Sequence, residues 1–202
     1  KEGCAEGDCG ACTVLVGRLT LAGLVYESVN ACIRLMGSLD GCHVVTVEHL
    51  ARDGALHPIQ QAMVDFHGSQ CGFCTPGFVM SLYGLWLTNP APREPEIERA
   101  LQGNLCRCTG YAPIVRAAQA LPGYADPATD PLRAERDRIT RQLEALRDGL
   151  RVEIASGEGV PSVIVPADVD DLAAVLETWP EATIVAGSTD VGLWVTKFMR
   201  DI

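Results

Sequence analysis

The rhythm of apolar and polar positions changes three times along the chain. Near the start, short β-branched runs stand among glycines. Thr13 to Val16 and Val44-Val45-Thr46-Val47 read as strands of a small mixed sheet, and Glu48 to Ala51 as the opening of a short helix. From His57 the spacing turns helical. Pro58 suits a first helical position, and Ile59, Ala62, Met63 and Phe66 fall on one face. Thr75-Pro76 reads as an N-cap and first-turn proline opening a helix to about Leu87, which Asn89, Pro90, Pro92 and Pro95 interrupt. Glu96 to Gln102 predicts a third helix, and Ala112-Pro113 starts a fourth that runs to about Leu121. Four short helices in succession predict a compact bundle.

Residues Pro122 to Pro131, with Asp126, Pro127 and Asp130 among them, read as a linker. Beyond it, Leu132, Ile139, Leu143, Leu146 and Leu150 form an apolar stripe with charged residues opposite, which predicts a surface helix packed on its neighbour. A strand at Ser162 to Val165, a helix near Asp170 to Trp179 and a turn within Ala182 to Asp190 complete the pattern. No internal repeat is visible. The expected organisation is 1–52, a sheet with a glycine-rich loop; 53–121, a helical unit; 122–160, a linker with a charged helix; and 161–202, the start of a third unit.

Composition narrows the functional classes. Hydrophobic residues make up 48% of the 202 positions, enough for a packed core. The net charge of −10, from 16 basic and 26 acidic residues without a polybasic run, argues against nucleic acid or an anionic membrane as partner. The most apolar run, Phe78 to Leu87, is interrupted by Ser81 and Gly84 and falls well short of the roughly 20 residues a bilayer requires. No signal-peptide pattern is present. Nine cysteines, an odd number at close spacings, then point to reduced thiols holding metal in a cytoplasmic setting. The chain starts at Lys1, just before the first candidate ligand, so part of the first sheet is expected to lie upstream.

Eight of those cysteines form two quartets. Cys4, Cys9 and Cys12 (C-x4-C-x2-C) are followed by Cys32; Cys71 and Cys74 (C-x2-C) are answered by Cys106 and Cys108 (C-x-C). The first triplet has the spacing of plant-type [2Fe–2S] ligands. Spacing alone leaves a Cys4 zinc site open for the second. Cys74 directly precedes the Thr75-Pro76 helix start and Cys108 the helix near Ala112, so two helix N-termini are expected to aim positive ends at an anionic centre. Cys42 reads as a structural thiol, and the isolated His43, His49, His57 and His67 as packing or surface residues.

The residues around the thiols carry a resemblance. Gly3-Cys-Ala-Glu-Gly-Asp-Cys-Gly-Ala-Cys-Thr-Val14, Val29-Asn-Ala-Cys32, Gly68-Ser-Gln-Cys-Gly-Phe-Cys-Thr-Pro-Gly77 and Gly103-Asn-Leu-Cys-Arg-Cys-Thr-Gly-Tyr111 resemble the molybdenum hydroxylase family over roughly residues 1–121. The resemblance implies an α+β chain. A ferredoxin-like β-grasp [2Fe–2S] domain is followed by a four-helix-bundle [2Fe–2S] domain and the beginning of an α+β FAD-binding domain. It assigns Cys4, Cys9, Cys12 and Cys32 to one cluster and Cys71, Cys74, Cys106 and Cys108 to the other.

Ile184-Val-Ala-Gly-Ser-Thr-Asp-Val191 is similar to the family's first flavin-pyrophosphate loop. Ile184, Val185, Ala186, Gly187, Ser188, Thr189, Asp190 and Val191 are thus candidate FAD contacts. Gly187 would allow close approach, Ser188 and Thr189 with nearby backbone N–H groups would hold phosphate oxygens, and Asp190 would play a backbone role. Two iron–sulfur domains fused to an FAD domain resemble the small subunits of bacterial xanthine dehydrogenases. This implies a hetero-oligomer with a large molybdopterin-binding subunit.

In that arrangement electrons leave molybdenum singly during xanthine or hypoxanthine oxidation. They reach the helical-domain cluster first, with Gln70 and Cys108 on the pterin-facing side, then the Cys4 cluster, FAD and NAD+. Acid–base catalytic residues are expected to be absent from this stretch. Alternatives are the same role in an aldehyde or N-heterocycle hydroxylase, or a non-enzymatic metal-stabilised module.

Overall fold

The first cysteine loop runs directly into β1 (Thr13–Thr20), where Leu15 and Val16 are buried. A computed structural model describes residues 1–155 and 161–202 of the chain. After Leu21-Ala22 the chain turns back as β2 (Gly23–Asn30), paired with β1 from Thr20↔Gly23 to Thr13↔Asn30. So tight a turn permits only an antiparallel partner. β3 (His43–Val45) joins the other edge of β1, also antiparallel, giving the order β2-β1-β3. The sheet is therefore wholly antiparallel instead of mixed. The hydrophobic pattern hides β2 because Leu24, Val25 and Tyr26 form a run in which only Leu24 is buried. A single 3-10 turn at Val47–His49 stands where a helix from Glu48 was expected.

The four-helix pattern materialises as α1 (Pro58–Asp65), α2 (Thr75–Thr88), α3 (Glu94–Leu101) and α4 (Ala112–Ala120). Pro95 does not merely break α2; it occupies the first turn of α3, where its missing N–H has no helical partner to lose. Helix α2 is apolar all round because it is covered all round. It packs on β1, α1 and α3, and Phe78, Met80, Leu82, Tyr83 and Trp86 are each no more than 1% exposed. One hydrophobic core runs from Leu15, Leu24 and Val45 of the sheet through these helices.

The apolar stripe beyond residue 131 is only partly helical. It divides into α5 (Pro131–Ala134) and α6 (Arg136–Ala145) and stops there. Leu132, Ile139 and Leu143 enter the common core, whereas Leu146 and Leu150 lie past the helix end and are exposed. Helix α6 packs on β1 and β2, with Arg136 donating to the Leu24 carbonyl. The stretch read as linker is thus bound to the body of the protein. It also contains β4 (Val152–Ala155), which pairs antiparallel with β5 (Pro161–Val165); its last residues, 156–160, lie outside the described residues. Helices α7 (Val169–Thr178) and α8 (Val191–Thr196) follow.

Asp130 anchors this stretch. Its buried carboxylate caps α5 through Leu132 N–H (2.8 Å), accepts from Tyr83 Oη (2.8 Å) and faces His57 Nε2 at 3.1 Å. His57 is itself the N-cap of α1: its Nδ1 accepts from Ile59 N–H, which leaves the ring proton on Nε2, aimed at Asp130. Burial alone would raise the Asp130 pKa, but the His57, Tyr83 and Leu132 hydrogen bonds outweigh it and hold it below the usual carboxylate value. Asp130→Ala leaves buried donors of His57 and Tyr83 unpaired and is expected to cost about 3 kcal/mol in chemical denaturation. Because the folded pKa is depressed, the ionised form's stabilisation is complete above the unfolded value of about 3.9. It is lost as pH falls through the folded pKa, so the gap between wild type and variant should narrow in acid.

Candidate metal centres

The eight cysteines assemble into two quartets, and within each quartet they come in pairs. In the first, Cys4 Sγ accepts N–H groups from Asp8 (3.4 Å) and Cys9 (3.3 Å), and the Cys9 thiol also contacts it. Cys12 Sγ accepts from Cys32 N–H at 3.4 Å and is joined by the Cys32 thiol. Burial pushes the Cys4 thiol up, yet the N–H groups around it prevail and bring it down to about 7. Cys32, desolvated and beside Cys12, is pushed up to about 11. The loop curls through residues with positive φ, among them Gly10 at +69°, where a Cβ would sit 2.0 Å from the Gly103 carbonyl.

In the second quartet Cys108 Sγ lies 3.7 Å from Cys71 Sγ, and the Cys74 and Cys106 thiols bond to each other. Cys71 and Cys108 are exposed, Cys74 is half-buried and Cys106 is buried, so the site has an outer and an inner pair. Phe73 N–H lowers the Cys71 pKa, while the Cys71 side chain raises that of Cys108. Burial, then Cys106, pushes Cys74 up to about 12; Cys106 goes down, because the Thr109 hydroxyl (3.2 Å) and neighbouring N–H groups outweigh its desolvation. In each pair of this second quartet one sulfur is thus shifted down and its partner up, as adjacent like charges require. A bound metal would displace the remaining protons.

The two-by-two pairing of sulfurs suits a two-iron centre. Among the described residues, no three His, Cys, Asp or Glu side chains converge on a position for a single ion. Two sulfurs for each of two irons is what a [2Fe–2S] cluster requires, and N–H groups aimed at sulfur suit its negative charge. The residues fit that group.

The two cysteine-bearing loops are tied together. Leu105 N–H donates to the Cys9 carbonyl (3.0 Å). Asn104, 3% exposed, donates through Nδ2 to the Gly10 carbonyl (3.1 Å) and Thr13 Oγ1 (3.2 Å) and accepts from Ser81 Oγ (2.6 Å). Neither Asn104 nor Ser81 stood out in the sequence, since a polar residue in a loop or helix carries no mark of burial; the only signal was Asn104's place in the Gly103–Tyr111 motif. The helix starts also differ in detail. Cys74 rather than Thr75 is the N-cap of α2, with Thr75 Oγ1 bonded to Ser69 Oγ at 2.7 Å, and Thr109, Gly110 and the N-cap Tyr111 separate Cys108 from α4. Gln70 Nε2 donates to the Cys108 carbonyl at 3.2 Å. Cys42 is half-buried, its thiol 3.5 Å from the Asp40 carbonyl.

The Ile184–Val191 segment leads into α8 beside the first quartet. Ile184, Ala186, Gly187, Thr189 and Asp190 are exposed, and Val185 and Val191 half-buried. A Cβ on Gly187 would meet nothing within 4 Å, so the backbone there is open to approach. Ser188 is buried and donates from Oγ to the Ile33 carbonyl at 2.7 Å.

Residues 46–119 match the family described as [2Fe-2S] binding domain. The chain is 54% identical over 122 residues to xanthine dehydrogenase of Emericella nidulans, covering 59% of this chain and 9% of that protein. It is 34% identical over 232 residues to xanthine dehydrogenase of Drosophila subobscura, covering 96% of this chain and 17% of the relative. The chain therefore spans under a fifth of the length of these curated relatives. Among solved structures, quinoline 2-oxidoreductase from Pseudomonas putida 86 superposes with a TM-score of 0.51 at 36% identity, covering 68% of this chain and 74% of that one. The chain belongs to the molybdenum hydroxylase family, as a bearer of its [2Fe–2S] electron-transfer domain.

Proposed function

We propose that this chain is the electron-transfer part of a molybdenum hydroxylase that oxidises xanthine or hypoxanthine. Each quartet holds one [2Fe–2S] cluster, a molybdopterin centre lies on a large partner subunit, and FAD with NAD+ as final acceptor lies at the other end. Residues 1–52 carry the first cluster and 53–121 the second; 122–160 connect them to an FAD-binding unit that begins at 161. When bound, a [2Fe–2S] cluster supplies a site that takes up one electron at a time.

The observation that carries the reading is the pairing of sulfurs two by two in both quartets. The chain's own groups then divide the work. N–H groups of Asp8 and Cys9 at Cys4, and of Cys32 at Cys12, stabilise added negative charge. The inner pair, half-buried Cys74 and buried Cys106, lies deeper, while the exposed Cys71 and Cys108, flanked by the exposed side chains of Phe73 and Leu105, offer a face to the partner subunit. Gln70 steadies that face through the Cys108 carbonyl. Gly187, Thr189 and the open backbone of the 184–191 loop suit a flavin pyrophosphate.

The purified full-length protein should contain about four irons and four acid-labile sulfides per chain, two of each per cluster, and give two electron paramagnetic resonance signals on reduction. Zinc in place of iron would overturn the reading. The likeness to quinoline 2-oxidoreductase favours one alternative, the same role in an N-heterocycle hydroxylase. Turnover of quinoline but not xanthine by the complex with its partner would select it.

A further inference from the structure

The 188–197 segment grips the first cysteine quartet from outside, and it does so on both halves. Ser188 Oγ donates to the carbonyl of Ile33, the residue after Cys32, at 2.7 Å. Thr196 Oγ1 donates to the carbonyl of Ala5, the residue after Cys4, at 2.6 Å. Cys4 belongs to one sulfur pair and Cys32 to the other, so a single short helix with its leading turn spans the quartet. Between the two hydroxyls the fit is tight: a Cβ on Gly192 would lie 2.7 Å from the Ile33 carbonyl oxygen and 3.0 Å from Ile33 Cβ. Lys197 Nζ adds a partly exposed ion pair with Glu6 at 3.8 Å.

Ser188 is held in an unusual backbone state to do this. Its φ is +64°, a region where a non-glycine residue is uncommon and asparagine is favoured over alanine. Only 4% of the residue is exposed, and its own carbonyl accepts Gly192 N–H at 2.8 Å to start the α8 turn. A strained residue persists where its surroundings over-determine it. Here the over-determining contact is the Ile33 carbonyl.

We propose that Ser188 is a positioning residue: its hydroxyl locks the 184–191 loop onto the Cys32 arm and, with Thr196 on the Cys4 arm, holds the two sulfur pairs of the first quartet in register. This rests on the reading that the first quartet binds a [2Fe–2S] cluster. It separates the roles of neighbouring residues, with Ser188 facing the quartet and Gly187 and Thr189 facing outward.

The test uses the full-length protein with Ser188→Gly, which removes the hydroxyl while relieving the positive φ, and Ser188→Asn, which tolerates that φ and can donate through Nδ2. In Ser188→Gly, a chelator should strip the first cluster roughly fivefold faster, the effect of one lost hydrogen bond, and the g-values of its resonance signal should shift. The second cluster's signal and loss rate should not change, and Ser188→Asn should restore the first. An unaltered first cluster in Ser188→Gly, or equal changes in both clusters, would overturn the assignment. Absence of the first signal from wild-type protein would instead refute the underlying cluster reading.

Discussion

Replacing Cys106 by Ser is expected to halve the iron content of the protein and to abolish or reshape one of its two resonance signals, leaving the other intact. Cys106 belongs to the inner pair of the second quartet, where its sulfur meets the Cys74 thiol and the Thr109 hydroxyl. A serine oxygen is a harder and far less acidic ligand than a thiolate, and it leaves Cys74 without its partner. Burial, the largest cause of the raised Cys74 pKa, remains when Cys106 is gone. The fold itself should survive, because the change removes little apolar surface and Cys106 sits at the margin of the core. The remaining signal belongs to the first quartet, whose sulfurs make no pair with those of the second. Metal analysis with resonance spectra on the same sample checks this; loss of both signals from a protein with wild-type circular dichroism would refute independent sites.

How much of this was legible in the sequence follows from what kind of signal each feature leaves. The cysteines are chemically singular, so their two quartets could be read directly, as could α1, α2 and α4, whose proline starts and helical spacing agree with their burial. What escaped was set by contacts distant in sequence. β2 owes its existence to pairing along β1 rather than to alternation, and Leu146 and Leu150 continue a stripe after the helix that would bury them has ended. Burial of Asp130 by His57 and Tyr83, of Asn104 by Ser81 and Gly10, and of Ser188 by Ile33 joins residues up to 155 positions apart. A polar residue in a loop looks the same in sequence whether it faces water or closes a core. Ser188 is the clearest instance: nothing in its loop motif announces the bond its hydroxyl makes to the Ile33 carbonyl.

Gly77→Ala should be strongly disruptive despite the small change in size. In an ordinary helix the change would stabilise by about 1 kcal/mol, since alanine has the better helix propensity. Gly77, in the first turn of α2, is where the first cysteine loop crosses that helix: a Cβ would lie 2.0 Å from the Gly10 carbonyl oxygen and 3.1 Å from Asn104 Nδ2. The Gly10 oxygen cannot simply retreat. It accepts Thr13 N–H (3.1 Å), Thr13 Oγ1 (2.7 Å) and Asn104 Nδ2 (3.1 Å), the last of which ties the two cysteine loops together. Relief of the clash must therefore break bonds at Gly10 or shift the start of α2, which carries Cys74 as its cap. We expect a net loss of about 3 kcal/mol in chemical denaturation and disturbance of both resonance signals at once, in contrast to the single-site effect of Cys106→Ser. Gly103→Ala is the control: it lies beside the same junction, yet its Cβ would meet nothing within 4 Å. If Gly77→Ala proved as stable as Gly103→Ala, with both signals unchanged, the close crossing of loop and helix would not be what holds the two centres together.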